Sequence, residues 1–129
     1  MMMKISNTGI TLLKILEGCK LKAYKDSVGV LTVGFGHTGI GVKKDMVITQ
    51  VEADKLLLID LLHFEKELNK LVKVALTQNQ VDSLVIFMYN IGYEAFEKST
   101  LLSLLNKNDK IKASEQFIRW NKGNSGKEI

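Results

Sequence analysis

Residues 49–71 predict one long helix, and this helix limits the possible folds more than any other feature of the sequence. Thr49 and Glu52 form a capping-box pattern at its start. Leucine and phenylalanine then recur at helical spacing, at Leu57, Leu61, Phe64, Leu68 and Leu71. A helix of about 22 residues is about 33 Å long, which is enough to join a small lobe to a larger one. We therefore expect two lobes, with the leucine stripe in the core.

Residues 21–41, before the long helix, have the composition of a small β structure. Valine, threonine, phenylalanine and glycine alternate there, and residues 26–29 (DSVG) predict a turn. We expect an antiparallel hairpin or a three-stranded sheet. If one strand continues over residues 30–37, Thr32, Gly34 and Gly36 share one face and His37 lies on the other.

Helical patterns occupy most of the remaining chain. The first predicted helix runs from about residue 7 to Glu17 and ends at Gly18. A buried helix begins at the capping box Thr77/Gln80 and ends near Gly92. A short helix capped by Ser99 or Thr100 runs through Leu105, and a last helix begins at Asp109 and precedes a loop-like tail at residues 122–129.

Composition narrows the possible partners. The 129 residues carry a formal net charge of +4, which favours an anionic partner such as nucleic acid, a membrane surface or a bacterial cell wall. The lysines are scattered and few aromatic residues could stack on bases, so we expect no nucleic acid. No run of about eighteen apolar residues predicts a membrane span. The two histidines and the single Cys19 have no metal-ligand spacing, and we expect no cofactor.

Two acids and a threonine are the candidate catalytic residues. Glu17 is predicted in the last turn of a helix, where the negative end of the helix dipole would raise the pKa of its carboxyl group. Asp26 is predicted in a turn and Thr32 on a strand. Two such carboxyl groups are the minimum for general acid/base cleavage of a glycosidic bond. The competing interpretation is that these acids only solvate the surface.

Two further side chains lie close to these candidates in the sequence. His37 is more often a structural histidine in such a position, by roughly four to one, so it is not counted as catalytic. For Tyr24, lining a binding cleft and simple packing are about equally expected.

The stretch from Glu17 to Thr38, EGCKLKAYKDSVGVLTVGFGHT, resembles the phage lysozymes (endolysins), family 24 of the glycoside hydrolases. Eight residues separate Glu17 from Asp26, and five separate Asp26 from Thr32. The resemblance continues in LTQNQVDSLVIFMYNIG (76–92), STLLSLLN (99–106) and FIRWNKG (117–123). It therefore covers nearly the whole chain.

This resemblance implies a single lysozyme-like α+β domain over residues 1–129. The expected parts are a β lobe at residues 18–48, a connecting helix at 49–72 and a helical lobe formed by 1–17 with 77–129. The implied activity is that of a muramidase, which hydrolyses the β-1,4 bond between N-acetylmuramic acid and N-acetylglucosamine in peptidoglycan and so lyses bacterial cells. By the family pattern, Glu17 is the general acid, Asp26 activates water and stabilises positive charge on the sugar, and Thr32 positions the water.

Stereochemistry and delivery follow from the resemblance as further expectations. It implies inversion, for which the two carboxyl groups stand about 6.5–9.5 Å apart, rather than retention at about 5–5.5 Å. It also implies accumulation in the host cytoplasm until a hole-forming membrane protein releases the enzyme to the cell wall. The sequence has no apolar signal segment, which agrees with this expectation.

The end of the chain departs from the family pattern. Family members continue with an arginine-rich helix that closes the helical lobe, whereas this sequence stops at Ile129. We therefore keep an alternative, a non-catalytic or truncated prophage remnant that binds cell wall without turnover. Loss of the closing helix would expose apolar side chains, for which Ile10, Leu13 and Phe117 are candidates.

Overall fold

The computed structural model describes residues 2–107. Its elements, in chain order, are α1 (Asn7–Glu17), β1 (Lys20–Lys25), β2 (Leu31–Gly34), α2 (Gln50–Leu71), α3 (Gln78–Ile91), α4 (Tyr93–Glu97) and α5 (Thr100–Asn106). Helices with one small antiparallel sheet confirm the predicted α+β class. The last helix and the tail that the sequence predicts lie outside the described residues.

The chain forms two compact units, one of residues 7–63 and one of residues 1–6 with 64–129. Helix α1 belongs to the unit that holds the strands, whereas the sequence division grouped residues 1–17 with the helical lobe. In that unit Leu13 is fully buried, so the expectation that it is an exposed apolar residue is wrong; Phe117 lies outside the described residues. Lys14 lies 5.5 Å from the centre of the Phe35 ring. The predicted lobe boundaries as a whole stay a prediction.

The sheet is built on β1. Strands β1 and β2 are antiparallel, with Tyr24 opposite Thr32 and Lys20 opposite Gly34, and the register shifts between these pairs. On the other side of β1, Ala23 N donates to Met46 O at 2.7 Å, and one bridge joins Lys22 to Val47. The predicted hairpin is therefore present, and a third short segment bonds to it.

The expected alternation over residues 30–37 is wrong. Strand β2 ends at Gly34, whose φ of 68° is in the left-handed region, and the chain then reverses. His37 and Val33 exchange two backbone hydrogen bonds of 2.9 Å. His37 therefore lies opposite Val33 instead of farther along the same strand, because the glycine conformation ends the pleat before the alternation can continue.

Helix α2 has the predicted length of 22 residues. Its capping box is present, since Glu52 N donates to Thr49 Oγ1 at 3.1 Å and Thr49 N donates to Glu52 Oε1 at 3.2 Å. Leu57, Leu61 and Leu68 of the predicted stripe are buried. One polar residue, Glu65, is buried on the same helix at 6% exposure.

Helix α3 confirms the second capping box and the predicted buried position. Thr77 and Gln80 make both bonds of the box, and the helix ends at Gly92 with φ 85°. A continuous run of five residues, 84–88, is buried. Ser99 caps α5, as predicted. The short α4 was not predicted, because five residues are too few to show a helical period; its Phe96 packs edge-on against Phe87.

Residues 3–6 are held by side chains of α2 and α3, an arrangement we call the N-terminal clasp. The clasp bonds run from Met3 N to Asn69 Oδ1 (2.7 Å), from Ile5 N to Glu65 Oε2 (2.8 Å), from Ser6 N to Asp82 Oδ1 (2.8 Å) and from Gln78 Nε2 to Lys4 O (2.7 Å). No local pattern in the sequence predicts it. It satisfies backbone groups that no helix or strand pairs.

Candidate active site

Glu17 is the last residue of α1, and its side chain is exposed. The helix ends there because Gly18 adopts φ 68° and its N–H donates to Lys14 O at 3.0 Å. This is the single-bond glycine ending of a helix. The carboxyl group of Glu17 therefore belongs to the C-terminal turn, as the sequence predicted.

Asp26 directly follows β1 and opens the hairpin turn. Its Oδ1 accepts hydrogen bonds of 2.9 Å from both Val28 N and Val30 N. The backbone turn is closed by Gly29 N, which donates to Asp26 O at 3.0 Å. An aspartate at this position mimics the backbone of a turn. Two N–H donors on one oxygen fix the direction of the carboxyl group.

Thr32 lies within β2 and is only 4% exposed. Its Oγ1 donates to Val30 O at 2.9 Å. A hydroxyl group has a single hydrogen to donate. Because that hydrogen is committed to Val30, the oxygen of Thr32 is left to accept, for example from a water molecule.

The main chain of Val30 links Asp26 to Thr32. Val30 N donates to the Asp26 side chain, and Val30 O accepts from Asp26 N at 2.9 Å as well as from the Thr32 hydroxyl. Sequence reasoning missed this connection; the signal was an aspartate followed by a short glycine-containing turn. The structure thus brings Asp26 and Thr32 together. Glu17 is in the same unit, with only Gly18 and Cys19 between α1 and β1.

His37 connects the β region to α2. Its Nδ1 lies 2.8 Å from Asp60 Oδ2, and both side chains are 20% exposed. This half-buried pair accounts for the histidine by itself and agrees with the structural interpretation. Tyr24 is half-buried and directly opposite Thr32.

Within residues 2–107, no three His, Cys, Asp or Glu side chains are grouped so that they could hold a metal ion. In the same part of the chain, no helix combines the length and the apolar content that a membrane span needs. Cys19 is a half-buried free thiol whose Sγ lies 3.8 Å from Gln50 Nε2.

Similar proteins identify the family to which the chain belongs. The sequence model of a family described as "Phage lysozyme" matches residues 14–129, a range that contains Glu17, Asp26 and Thr32. The chain belongs to the phage lysozyme family. Among its relatives, the endolysin of Salmonella phage P22 is 43% identical over an alignment of 132 positions that covers 99% of this chain and 90% of that protein.

A crystal structure of a P22 lysozyme mutant resembles this phage lysozyme chain with a TM-score of 0.80, at 43% identity and with coverage of 99% of this chain and 90% of that one. This confirms the predicted lysozyme-like fold. The muramidase domain of SpmX from Asticaccaulis excentricus is 38% identical with a TM-score of 0.84, over 92% of this chain and 80% of that one.

One relative is about twice as long as this chain. The endolysin of Bacillus phage B103 is 44% identical over 122 residues, which are 93% of this chain but 46% of that endolysin. This phage lysozyme chain therefore spans about half the length of that relative.

Proposed function

We propose that this chain is a muramidase that hydrolyses the β-1,4 bond between N-acetylmuramic acid and N-acetylglucosamine in bacterial peptidoglycan. The observation that carries the proposal is that the phage lysozyme match includes Glu17, Asp26 and Thr32. The names of similar proteins, P22 lysozyme and the muramidase domain of SpmX, support this substrate class.

The proposed chemistry is a direct displacement by water. Glu17 donates its proton to the glycosidic oxygen as the bond from that oxygen to the anomeric carbon breaks. Water attacks the anomeric carbon from the opposite face and passes a proton to the Asp26 carboxylate. The Asp26 charge also stabilises the positive charge that develops on the sugar ring. No cofactor takes part in these steps.

The hydrogen bonds of the turn support these roles for Asp26 and Thr32. Both N–H donors reach Oδ1 of Asp26, and within residues 2–107 the structure shows no partner for Oδ2. The second oxygen can therefore receive the proton of the water. The hydroxyl oxygen of Thr32, which has already donated to Val30, can accept the other hydrogen of the same water molecule.

A peptidoglycan zymogram tests the proposal. The wild-type protein should clear the gel, and Glu17→Gln should reduce the rate by at least about a thousandfold because the proton donor is lost. Asp26→Asn should also reduce it strongly. Asp45→Asn is the matched control, since Asp45 is an exposed acid with φ 63°, a conformation that asparagine tolerates. Clearing by Glu17→Gln at the wild-type rate would contradict the assignment of the general acid.

The anomeric form of the first product tests the direct attack by water. Inversion should release the α anomer from the β-linked substrate, as detected by proton NMR before mutarotation. A β anomer as first product would instead mean retention through a covalent or enclosed intermediate, and Asp26 would then need the role of nucleophile.

No observation favours the alternative of a wall-binding remnant without turnover. The zymogram separates the two functions, because a remnant would sediment with purified walls and leave the gel uncleared.

A further inference from the structure

Three residues of the hairpin share one face of the sheet. Tyr24 lies opposite Thr32, and Lys20 lies opposite Gly34. Residues directly opposite each other in an antiparallel pair project from the same face, so Tyr24 is on the face of the sheet that carries Thr32. The register shifts between Tyr24 and Lys20, and the side chain of Lys20 is placed on this face by its contact with the Tyr24 ring.

The ammonium group of Lys20 lies over the ring of Tyr24, with Nζ 4.3 Å from the ring centre. This is within the range of a cation–π interaction. An exposed lysine normally samples many rotamers. The aromatic ring restricts the ammonium group of Lys20 to a position over Tyr24, the residue opposite Thr32, and so reduces the entropy that a ligand would have to remove.

The charge of Lys20 is not neutralised by the part of the chain that the structure describes. Over residues 2–107 its ammonium group forms no ion pair, and the ion pairs of the unit join Lys14 to Asp54 and His37 to Asp60. An exposed cation that is held on the ring opposite the proposed water-binding threonine is suited to an anionic group on the substrate.

We propose that Lys20 and Tyr24 form a subsite that binds a carboxylate carried by the glycan strand at N-acetylmuramic acid. This inference rests on the proposed function and adds the substrate group that the site recognises. The carboxylate has two possible sources. Where a peptide is attached, the lactyl carboxyl group is part of a neutral amide and only the peptide carries carboxylates; where the peptide is absent, the lactyl group itself is the carboxylate. A neutral glycan built only from N-acetylglucosamine has neither, so the subsite discriminates against it.

The experiment measures kcat and KM on soluble peptidoglycan fragments. Lys20→Met should raise KM by about five- to tenfold and leave kcat within about twofold, because binding is lost without a change at the reacting atoms. Lys25→Met is the matched control, since Lys25 is exposed on the same strand but pairs with Leu31 and so lies on the other face. It should leave KM unchanged.

Conservative variants separate binding from a structural effect. Lys20→Arg should have the wild-type KM because it keeps the positive charge. Tyr24→Phe should also have the wild-type KM because the aromatic ring remains. Tyr24→Leu removes the ring and should raise KM. Equal melting temperatures for wild type, Lys20→Met and Lys25→Met show that the fold is intact.

Modified substrates identify the carboxylate. Chemical amidation of all carboxyl groups should abolish the difference between wild type and Lys20→Met. An amidase that removes the peptides sets the lactyl carboxylate free. A difference between wild type and Lys20→Met on these strands shows that the lactyl carboxylate is bound, and a difference found only on peptide-bearing strands assigns the peptide. The proposal is overturned if Lys20→Met behaves like Lys25→Met, or if its defect is equally large on amidated substrate.

Direct binding keeps this inference distinct from the proposed function. Binding of the fragments to the Glu17→Gln variant, with and without Lys20→Met, is measured by calorimetry. Lys20-dependent binding by Glu17→Gln, combined with a wild-type protein that leaves the zymogram uncleared, would retain the subsite and reject the muramidase. Cleavage without any effect of Lys20 on KM or binding would reject the subsite alone, and the absence of both would overturn both.

Discussion

At the scale of the residue, Gly18 determines where α1 ends and so where Glu17 lies. Its φ of 68° is costly for any residue with a Cβ atom. A Cβ at this position would meet no atom within 4 Å. The left-handed backbone conformation, and not a steric clash, therefore disfavours any other residue here. The end of the helix, and the position of its last carboxyl group, therefore depend on one backbone torsion.

Gly18→Ala should lower the free energy of unfolding by about 1 kcal/mol, because alanine must adopt the left-handed conformation. Gly41→Ala is the control, since a Cβ there also meets nothing within 4 Å and the backbone has no positive φ; it should change the stability by less than about 0.5 kcal/mol. Chemical denaturation measures both. Equal effects of the two substitutions would contradict the argument.

The pair of His37 and Asp60 also acts at this scale. Asp60→Asn should lower the free energy of unfolding by about 1–2 kcal/mol, because a half-buried, charge-assisted hydrogen bond is weakened. Asp54→Asn on the same helix removes a much more exposed ion pair, with side chains 39% and 42% exposed, and should cost less than about 0.5 kcal/mol. A double-mutant cycle with His37→Gln measures the coupling, and a coupling near zero would refute the interaction.

At the scale of the element, local signals predicted the helices well. The capping boxes at Thr49 and Thr77 and the glycine endings depend on residues within four positions of one another, so the sequence displays them directly. The reversal at Gly34 was missed, because glycine permits either sign of φ and nothing local selects one. The clasp was also missed, since Glu65 and Ile5 are 60 residues apart in the chain.

The candidate site divides in the same way. The positions of Glu17, Asp26 and Thr32 on a helix end, a turn and a strand could be predicted from residue type and spacing. The link through Val30 could not be predicted, because the main-chain N and O of Val30 make it and every residue type other than proline has the same main-chain groups.

Glu65→Ala tests the clasp at the level of α2. We expect the free energy of unfolding to fall by about 2–3 kcal/mol, because Ile5 N loses its acceptor and a buried side chain is truncated. Lys66→Ala, the exposed neighbour on the same helix, should change stability by less than about 0.5 kcal/mol. A loss for Glu65→Ala no larger than for Lys66→Ala would mean that the clasp does not stabilise the fold.

At the scale of the whole molecule, the net charge of +4 should affect the attack on an anionic cell wall. Electrostatic attraction between exposed charges is screened over about 8 Å at physiological ionic strength. The rate of lysis of purified walls should therefore fall as salt is added, and walls with amidated carboxyl groups should show a weaker salt dependence. Equal rates on untreated walls at low and high salt would contradict this prediction.

Delivery is also a property of the whole protein. We propose that it accumulates in the host cytoplasm and reaches the wall through a hole-forming membrane protein, a proposal supported by the endolysin names of its relatives. Cells that express the protein alone should stay intact, and coexpression of a hole-forming protein should lyse them. Glu17→Gln in the same cells is the control. Recovery of the protein mainly outside the inner membrane of intact cells would contradict the proposal.

The N-terminal clasp has a consequence for which substitutions the chain tolerates. Its four side chains bind main-chain N–H and C=O groups of residues 3–6, and every amino acid except proline offers the same groups. The exposed residues Met2 and Lys4 can therefore vary widely in a randomised library, with proline excluded where an N–H must donate. Glu65, Asn69 and Asp82 should accept few replacements. Ile5, which is buried, and Ser6, whose hydroxyl group donates to Asp82 Oδ2, should be constrained as well, so the tolerance within the segment is confined to its exposed positions.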